Sequence, residues 1–221
     1  MSEYVLRMLE DRLGPGVETA PLPASNRVVY VVEGDVTIAA GETPQTVRAD
    51  KGWFGADSSR LKGGAGPARL WRWELVASPA TDDGVAAGEG VVSEVKLAEE
   101  ITVDPKAAYM MRLDRVVFPL NGIAYKHIHW GPGIRCLLSG GLEVRTAEQR
   151  WQVEPGESWF ERGPDPIYAQ ASASELTSFV RAMLLPRALK GQTSIRYVEE
   201  EDAEKPKTQE YTRYVDEFVE L

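Results

Sequence analysis

The chain has few of the side chains that carry redox or metal chemistry. Its 221 residues include one cysteine, Cys136, and two histidines, His127 and His129. A single cysteine excludes an internal disulfide and is typical of proteins from a reducing compartment. Any histidine chemistry must take place at one position in the chain, because the two histidines are separated by one residue.

Long apolar runs and an excess of basic residues are also absent. No stretch approaches the roughly 18 apolar residues of a membrane span, and residues 1–12 mix charged with apolar side chains, unlike a secretory signal. Lys and Arg number 25 against 34 Asp and Glu, a net charge of −9, which opposes binding to a phosphate backbone. We therefore expect a cytoplasmic protein without a membrane or nucleic-acid partner.

The segment His127-Ile128-His129 is typical of a strand edge. Successive side chains of a strand point to opposite faces, so residues two apart share a face. Two neutral imidazoles on one face can converge on a metal ion or on a substrate. The pair is the first candidate for a functional site.

The chain contains two copies of one unit. Gly34 precedes Trp53 by 53 − 34 = 19 residues, and Gly140 precedes Trp159 by 159 − 140 = 19 residues, so one shift of 106 superposes both landmarks. The same shift places Pro21 and Pro23 where the second copy has its histidines. We expect a degenerate first copy and one site, in the second.

The second copy resembles the two sequence motifs of the cupin superfamily. The resemblance rests on a His-x-His, an apolar strand at 134–138, a Gly turn, a strand at 142–144 and the turn Pro155-Gly156-Glu157. It implies an all-β protein with two tandem jelly-roll barrels, also described as double-stranded β-helices, and little helix. It also implies dioxygenase, isomerase, lyase or decarboxylase chemistry, among which a fold does not choose.

Composition and strand signals divide the chain into four segments. We expect a degenerate N-terminal cupin at 1–77, a linker at 78–90, a C-terminal cupin carrying the site at 91–187 and a C-terminal extension at 188–221. Helix is possible at Val5 to Leu13, and the tail around Tyr214 fits helix or strand equally. The acidic run 199–202 is predicted to be a solvated loop. The extension is long enough to contact a second copy, so a homodimer is possible.

The cupin resemblance implies four metal ligands, of which this chain keeps two. Gly133 and Ile134 stand where the family has a Glu, and Ile167 stands near the position of its last His. A divalent ion (Fe, Mn, Ni or Zn) held by His127 and His129 needs a further ligand. We favour Glu161, at the end of a strand, over Glu157, Gln170, Tyr168 or water. The alternative is that the pair hydrogen-bonds directly to a substrate or to the protein.

Further residues join the predicted site. Arg135 lies two residues after Gly133 and is predicted to point inward, where it needs either an anionic ligand or an ion pair with Glu143, Glu157 or Glu161. Tyr125 shares the phase of the histidines and is predicted to assist proton transfer or to line the cavity. Trp159, Tyr168 and Gln170 are candidates for substrate binding.

These residues predict a metal-assisted enzyme that acts on a small organic or aromatic acid. His127, His129 and Glu161 would bind the ion, Arg135 would anchor the substrate carboxylate, and Tyr125 would move a proton. The alternative is a metal-free small-ligand binding or regulatory protein without catalysis.

Overall fold

The computed structural model describes residues 2–221 and confirms the all-β prediction, with 58% strand and 4% helix. Contacts divide the chain into two compact units. Unit 1 extends through Ala107 and includes the last three residues, and unit 2 is Ala108–Phe218. Within 2–221, no helix has the length and apolar character needed to cross a bilayer.

Unit 1 is built from two antiparallel sheets. Its strands are β1 (Ser2–Leu13), β2 (Asn26–Glu33), β3 (Asp35–Ala39), β4 (Gln45–Arg48), β5 (Lys51–Gly55), β6 (Arg60–Gly63), β7 (Ala68–Ala77) and β8 (Val91–Val103). The sheet orders are β5-β2-β7-β1-β8 and β4-β3-β6. Alternate residues of these strands, such as Val29, Val31, Trp53 and Leu70, form the apolar core of the unit.

Unit 2 repeats this arrangement and adds strands from the C-terminal segment. Its elements are β9 (Tyr109–Phe118), β10 (Ile123–His129), β11 (Gly133–Ser139), β12 (Leu142–Arg145), β13 (Arg150–Val153), β14 (Ser158–Glu161), β15 (Ile167–Ala171), β16 (Thr177–Pro186), a 3₁₀ turn (Arg187–Leu189), β17 (Ile195–Tyr197), α1 (Glu200–Glu204) and β18 (Glu210–Val219). The sheet orders are β14-β11-β16-β9-β18 and β13-β12-β15-β10-β17.

The internal repeat is visible in the strand register. Val29 pairs with Trp53 in unit 1, and Arg135 pairs with Trp159 in unit 2. Adding 106 to the numbers of Val29 and Trp53 gives Arg135 and Trp159, so the same strand pairing occurs in both units. Gly34 and Gly140 have φ of 73° and 74°, and a Cβ at either would meet a carbonyl oxygen of a neighbouring segment within 2.6 Å. Each turn therefore requires glycine.

Four expected segments differ from the structure. Strand β8 pairs with β1 over its whole length, so the division between the units follows Ala107 and does not lie in the expected linker at 78–90. Strands β17 and β18 belong to the sheets of unit 2, so most of the expected extension completes that unit. Val5 to Leu13 is strand, because β1 has a hydrogen-bonded partner on both edges. The acidic run begins helix α1.

Candidate functional site

A bulge in β10 determines which of its side chains face the interior of unit 2. The pairing of β10 with β15 shifts register between Ala124 and His127. Ala124, His127 and His129 all line one internal cavity, although 124 and 127 differ by an odd number of residues. The bulge therefore reverses the strand's phase and brings both imidazoles to the inner face.

The cavity is small and mostly apolar. The centre of a water molecule can occupy a volume of about 30 Å³ within it. This volume is enough for roughly two waters. Its polar lining consists of His127, His129, Arg135, Glu161, Arg181, Tyr197, Gln209 and Tyr211. Its apolar lining consists of Val116, Phe118, Ala124, Leu142, Trp159, Ile167, Ala169, Phe179 and Ile195. An apolar cavity with a few converging polar groups is the usual form of a small-molecule site.

Four polar side chains form a continuous chain of contacts along one wall. Nε2 of His127 lies 3.2 Å from Nε2 of His129, which lies 3.0 Å from Oε2 of Glu161. Nη2 of Arg135 lies 2.6 Å from the same carboxylate oxygen. Arg135 therefore has an internal counter-ion, one of the three carboxylates that the sequence analysis allowed.

The hydrogen bonds assign the imidazole protons. Nδ1 of His127 lies 2.7 Å from the carbonyl oxygen of Tyr125, which only accepts, so Nδ1 carries the proton and Nε2 is an acceptor. The proton on Nε2 of His129 then faces two acceptors, His127 Nε2 and Glu161 Oε2. Nδ1 of His129 is buried without a hydrogen-bond partner in residues 2–221. The histidine end of the wall therefore has more acceptors than protons.

Donors on Arg135 are also incompletely used. Nε and Nη2 of Arg135 are buried and make no aligned hydrogen bond with any group in the described chain, although Nη2 is in ionic contact with Glu161. Nη1 donates to the carbonyl oxygen of Gly133 at 2.5 Å. A Cβ on Gly133 would lie 2.9 Å from that same Nη1, so glycine leaves the space that the guanidinium occupies.

Burial and ion pairing set the charge states in the wall. Burial, reinforced by the charge of Arg135, lowers the pKa of His129 to about 3, and burial also lowers the pKa of His127. Burial lowers the pKa of Arg135 to about 10, against the opposing effect of Glu161. Burial alone would raise the pKa of Glu161, but Arg135 and His129 hold it far below its usual value. At neutral pH the wall contains a charged Arg135–Glu161 pair and two neutral imidazoles.

Trp159 positions the carboxylate from two residues away on the same strand. Its Nε1 donates to Oε1 of Glu161 at 2.8 Å, while Oε2 of Glu161 faces Arg135 and His129. Trp159 and Glu161 share the inner face of β14 because they are two residues apart. The structure thus brings together five of the predicted site residues: His127, His129, Arg135, Trp159 and Glu161.

Three predicted site residues do not line the cavity. Tyr125 lies within the bulge of β10, and its ring instead stacks against the ammonium groups of Lys205 at 4.8 Å and Lys207 at 5.4 Å. Tyr168 and Gln170 alternate with the cavity residues Ile167 and Ala169, so they face the other side of β15. Tyr168 packs there under Arg145. The expected proton-transfer role of Tyr125 therefore has no geometric support.

The cavity residues that sequence reasoning missed include Arg181 and four residues of the C-terminal segment. Arg181 lies in the apolar run of β16, where a lone charge among Phe179, Val180 and Ala182 was a signal that the run has a polar inner position. Ile195, Tyr197, Gln209 and Tyr211 come from the C-terminal segment, which had been expected to be an extension. These four residues close the cavity, since β17 pairs with β10 beside the histidines.

The polar wall does not have the arrangement of a complete metal centre. His127, His129 and Glu161 contact one another in sequence, and the Glu161 oxygen nearest His129 also contacts Arg135. In residues 2–221, no group of three or more His, Cys, Asp or Glu side chains is placed to hold a metal ion. The residues present therefore do not fit a bound ion in this arrangement.

Comparison with known proteins identifies similar folds only. No family model and no curated protein matches the chain. AerE from Microcystis aeruginosa is 11% identical, with a TM-score of 0.58 over 84% of this chain and 88% of AerE. A point mutant of the oxalate decarboxylase OxdC from Bacillus subtilis is 9% identical, with a TM-score of 0.68 over 91% of this chain and 73% of OxdC.

A third structure extends the similarity to a protein of another kind. The 11S allergen from Cocos nucifera is 8% identical, with a TM-score of 0.62 over 87% of this chain and 83% of the allergen. Identities this low establish the fold and leave the activity open. Together with the duplicated register of β2–β5 and β11–β14, they show that this chain has the fold of the cupin superfamily, with two tandem cupin units.

Proposed function

We propose that the cavity of unit 2 binds a small organic acid that carries a proton-donating group next to its carboxylate. The proposal rests on one observation, the unused hydrogen-bonding capacity of the polar wall. Nε of Arg135 is a donor without an acceptor, and Nδ1 of His129 is an acceptor without a donor in the described residues, while Nη2 of Arg135 contacts only Glu161. A buried polar group without a partner costs about 1–3 kcal/mol, so a ligand that supplies both partners gains that energy.

The charges and the volume narrow the ligand class. A carboxylate matches the planar guanidinium of Arg135, and a hydroxyl or amine can donate to an imidazole acceptor. The cavity's present volume favours compact acids, and a larger ligand requires the C-terminal residues Ile195, Tyr197 and Tyr211 to move. Apolar side chains on the remaining walls favour a ligand with a short hydrocarbon part.

Glycolate and acetate provide a matched test, because they differ by one hydroxyl. In calorimetric titrations we expect glycolate to bind at least about tenfold more tightly than acetate, since the site would otherwise keep an unpaired acceptor. Arg135→Gln should weaken glycolate binding at least about tenfold. Equal affinities of the two acids, or unchanged glycolate binding in the variant, would contradict the proposal.

A second candidate is the metal-assisted enzyme that the sequence predicts. It is favoured by the orientation of His127, whose Nδ1 donates to the carbonyl oxygen of Tyr125. Metal-binding histidines commonly donate their other ring N–H in this way, and two histidines with one carboxylate form a known set for divalent ions. In this candidate the side chains of His127, His129 and Glu161 would have to move apart to hold Fe, Mn, Ni or Zn.

Metal analysis separates the two candidates. The protein is purified without added metal and without a His tag, and bound metal is measured by mass spectrometry. Stoichiometric metal that disappears in His127→Ala supports the enzyme. Metal-free protein that binds glycolate supports the binding function.

A further inference from the structure

A second concave site lies beside the cavity in unit 2. We call this site the outer cleft and define it by Arg112, Asp114, Arg181, Ser194, Tyr211 and Arg213. The centre of a water molecule can occupy a volume of about 370 Å³ within it. Three residues, Arg181, Ile195 and Tyr211, line both the outer cleft and the inner cavity. The outer cleft has room for a larger organic molecule than the compact acids proposed for the inner cavity.

The strand pattern explains why charged residues collect here. Strands β16, β9 and β18 are neighbours in one sheet. Arg112 and Asp114 are two residues apart on β9, and Tyr211 and Arg213 are two residues apart on β18, so each pair shares a face. Arg181 pairs directly with Asp114 across β16 and β9.

Positive charge exceeds negative charge in the outer cleft. Asp114 pairs with Arg181, with Oδ1 2.6 Å from Nε and Oδ2 3.2 Å from Nη2. Asp216 contacts both Arg112, at 2.9 Å, and Arg213, at 3.4 Å. Three guanidinium groups thus face two carboxylates, in a chain whose net charge is −9. A local excess of positive charge on an acidic protein attracts anions.

The three arginines differ in how many donors they keep for a ligand. Arg112 uses all its nitrogens, on Asp216 and on the carbonyl oxygens of Gln192 and Leu189. Arg181 uses Nε and Nη2 on Asp114, which leaves Nη1 outside that ion pair. Arg213 makes only long contacts, 3.4 Å to Asp216 and 3.3 Å to the Gln192 carbonyl, and 38% of its side chain is exposed.

We propose that the outer cleft binds small polycarboxylate anions through Arg213 and Arg181. Two guanidinium groups on one wall match a ligand with at least two carboxylates. Arg112 holds the 189–192 segment and β18 in place and is a positioning residue. Binding in the outer cleft does not require a ligand on Arg135.

Citrate is the probe for this site. In calorimetric titrations of the full-length protein at fixed ionic strength, we expect Arg213→Gln to weaken citrate binding at least about tenfold. Arg60→Gln is the matched control, because Arg60 is an exposed arginine of unit 1 with only long contacts, 3.8 Å to Glu18 and 3.2 Å to the Thr19 carbonyl. Citrate affinity should be unchanged in that control.

Three outcomes would overturn the proposal. They are unchanged citrate binding in Arg213→Gln, an equal loss in Arg60→Gln, and inorganic phosphate binding as tightly as citrate. Failure of the inner-cavity function is seen separately, as glycolate binding that does not respond to Arg135→Gln. Arg213 is partly exposed, so its variant should fold, and circular dichroism checks this.

Discussion

At the scale of single residues, the properties of Glu161 decide how the inner cavity works. Its carboxylate accepts from Trp159, contacts His129 and pairs with Arg135. The contact with Arg135 gives this buried guanidinium a counter-ion. Glu161 therefore competes with a ligand carboxylate for the guanidinium of Arg135. Glu161 thus stabilises the empty cavity and weakens anion binding.

Glu161→Gln separates these two effects. The variant leaves Arg135 charged and without a counter-ion, so we expect the free energy of unfolding to fall by about 3 kcal/mol. Glycolate binding should become about tenfold tighter, because the competing negative charge is gone. Chemical denaturation and calorimetry measure the two quantities.

Glu143→Gln is the control for that experiment. Glu143 pairs with Arg145 and Arg150 outside the cavity, so its substitution should leave glycolate binding unchanged. A loss of glycolate binding in Glu161→Gln would contradict the competition and would favour Glu161 as a metal ligand.

At the scale of elements, the segment from β17 to β18 acts as the cover of the cavity. Lys207 lies 4.2 Å from the ring centroid of Tyr197 and donates to the carbonyl oxygens of Asp202 and Lys205. Lys205 and Lys207 also lie over Tyr125, and Gln209 donates to the carbonyl oxygen of Ile123. Tyr125, predicted to serve chemistry, instead anchors the cover to β10.

Lys207→Gln should loosen this cover. Loss of the cation–π contacts costs about 1 kcal/mol, so amide hydrogen exchange in residues 198–209 should become about fivefold faster. The association rate of glycolate should rise as well. Lys96→Gln, a lysine of unit 1 paired with Glu94, is the control. Unchanged exchange in 198–209 would show that the lysine contacts do not hold the segment.

At the scale of the whole molecule, the two units differ in what fills their inner positions. Unit 1 has a buried network in which Glu74 contacts Arg7, Arg27 and Arg72, and Arg72 also pairs with Asp11. Arg72 pairs with Val29 in register, as Arg181 pairs with Arg135. Ion pairs in unit 1 thus occupy the region that corresponds to the polar wall of unit 2, in agreement with the expected degenerate first copy.

Acid should weaken this network. Burial by itself raises the pKa of Glu74, but the charges of Arg72, Arg27 and Arg7 lower it to about 2. A folded-state pKa below the unfolded value means that the stabilisation is complete above about pH 4.5 and is lost as the pH falls towards about 2. The loss is on the order of 3 kcal/mol.

Glu74→Gln tests the assignment. At neutral pH the variant leaves three buried arginines short of a counter-ion, so we expect a loss of about 3 kcal/mol that shrinks near about pH 2.5. Urea titrations followed by the indole NMR signals of Trp71 and Trp73 report on unit 1. Glu42→Gln, an exposed acid of unit 1, should show no such change, and a loss independent of pH would contradict the mechanism.

The sequence by itself determined the fold class and the duplication, and it predicted five residues that line the inner cavity. Strand alternation and glycine turns follow from local sterics, and the histidine pair, Arg135 and Glu161 lie on strands whose side chains alternate by rule. Only the tertiary structure decided that a bulge turns Tyr125 away from the cavity, that β8 belongs to unit 1 and that the C-terminal segment covers the cavity. Those outcomes depend on pairing between strands far apart in the sequence, which no local pattern specifies.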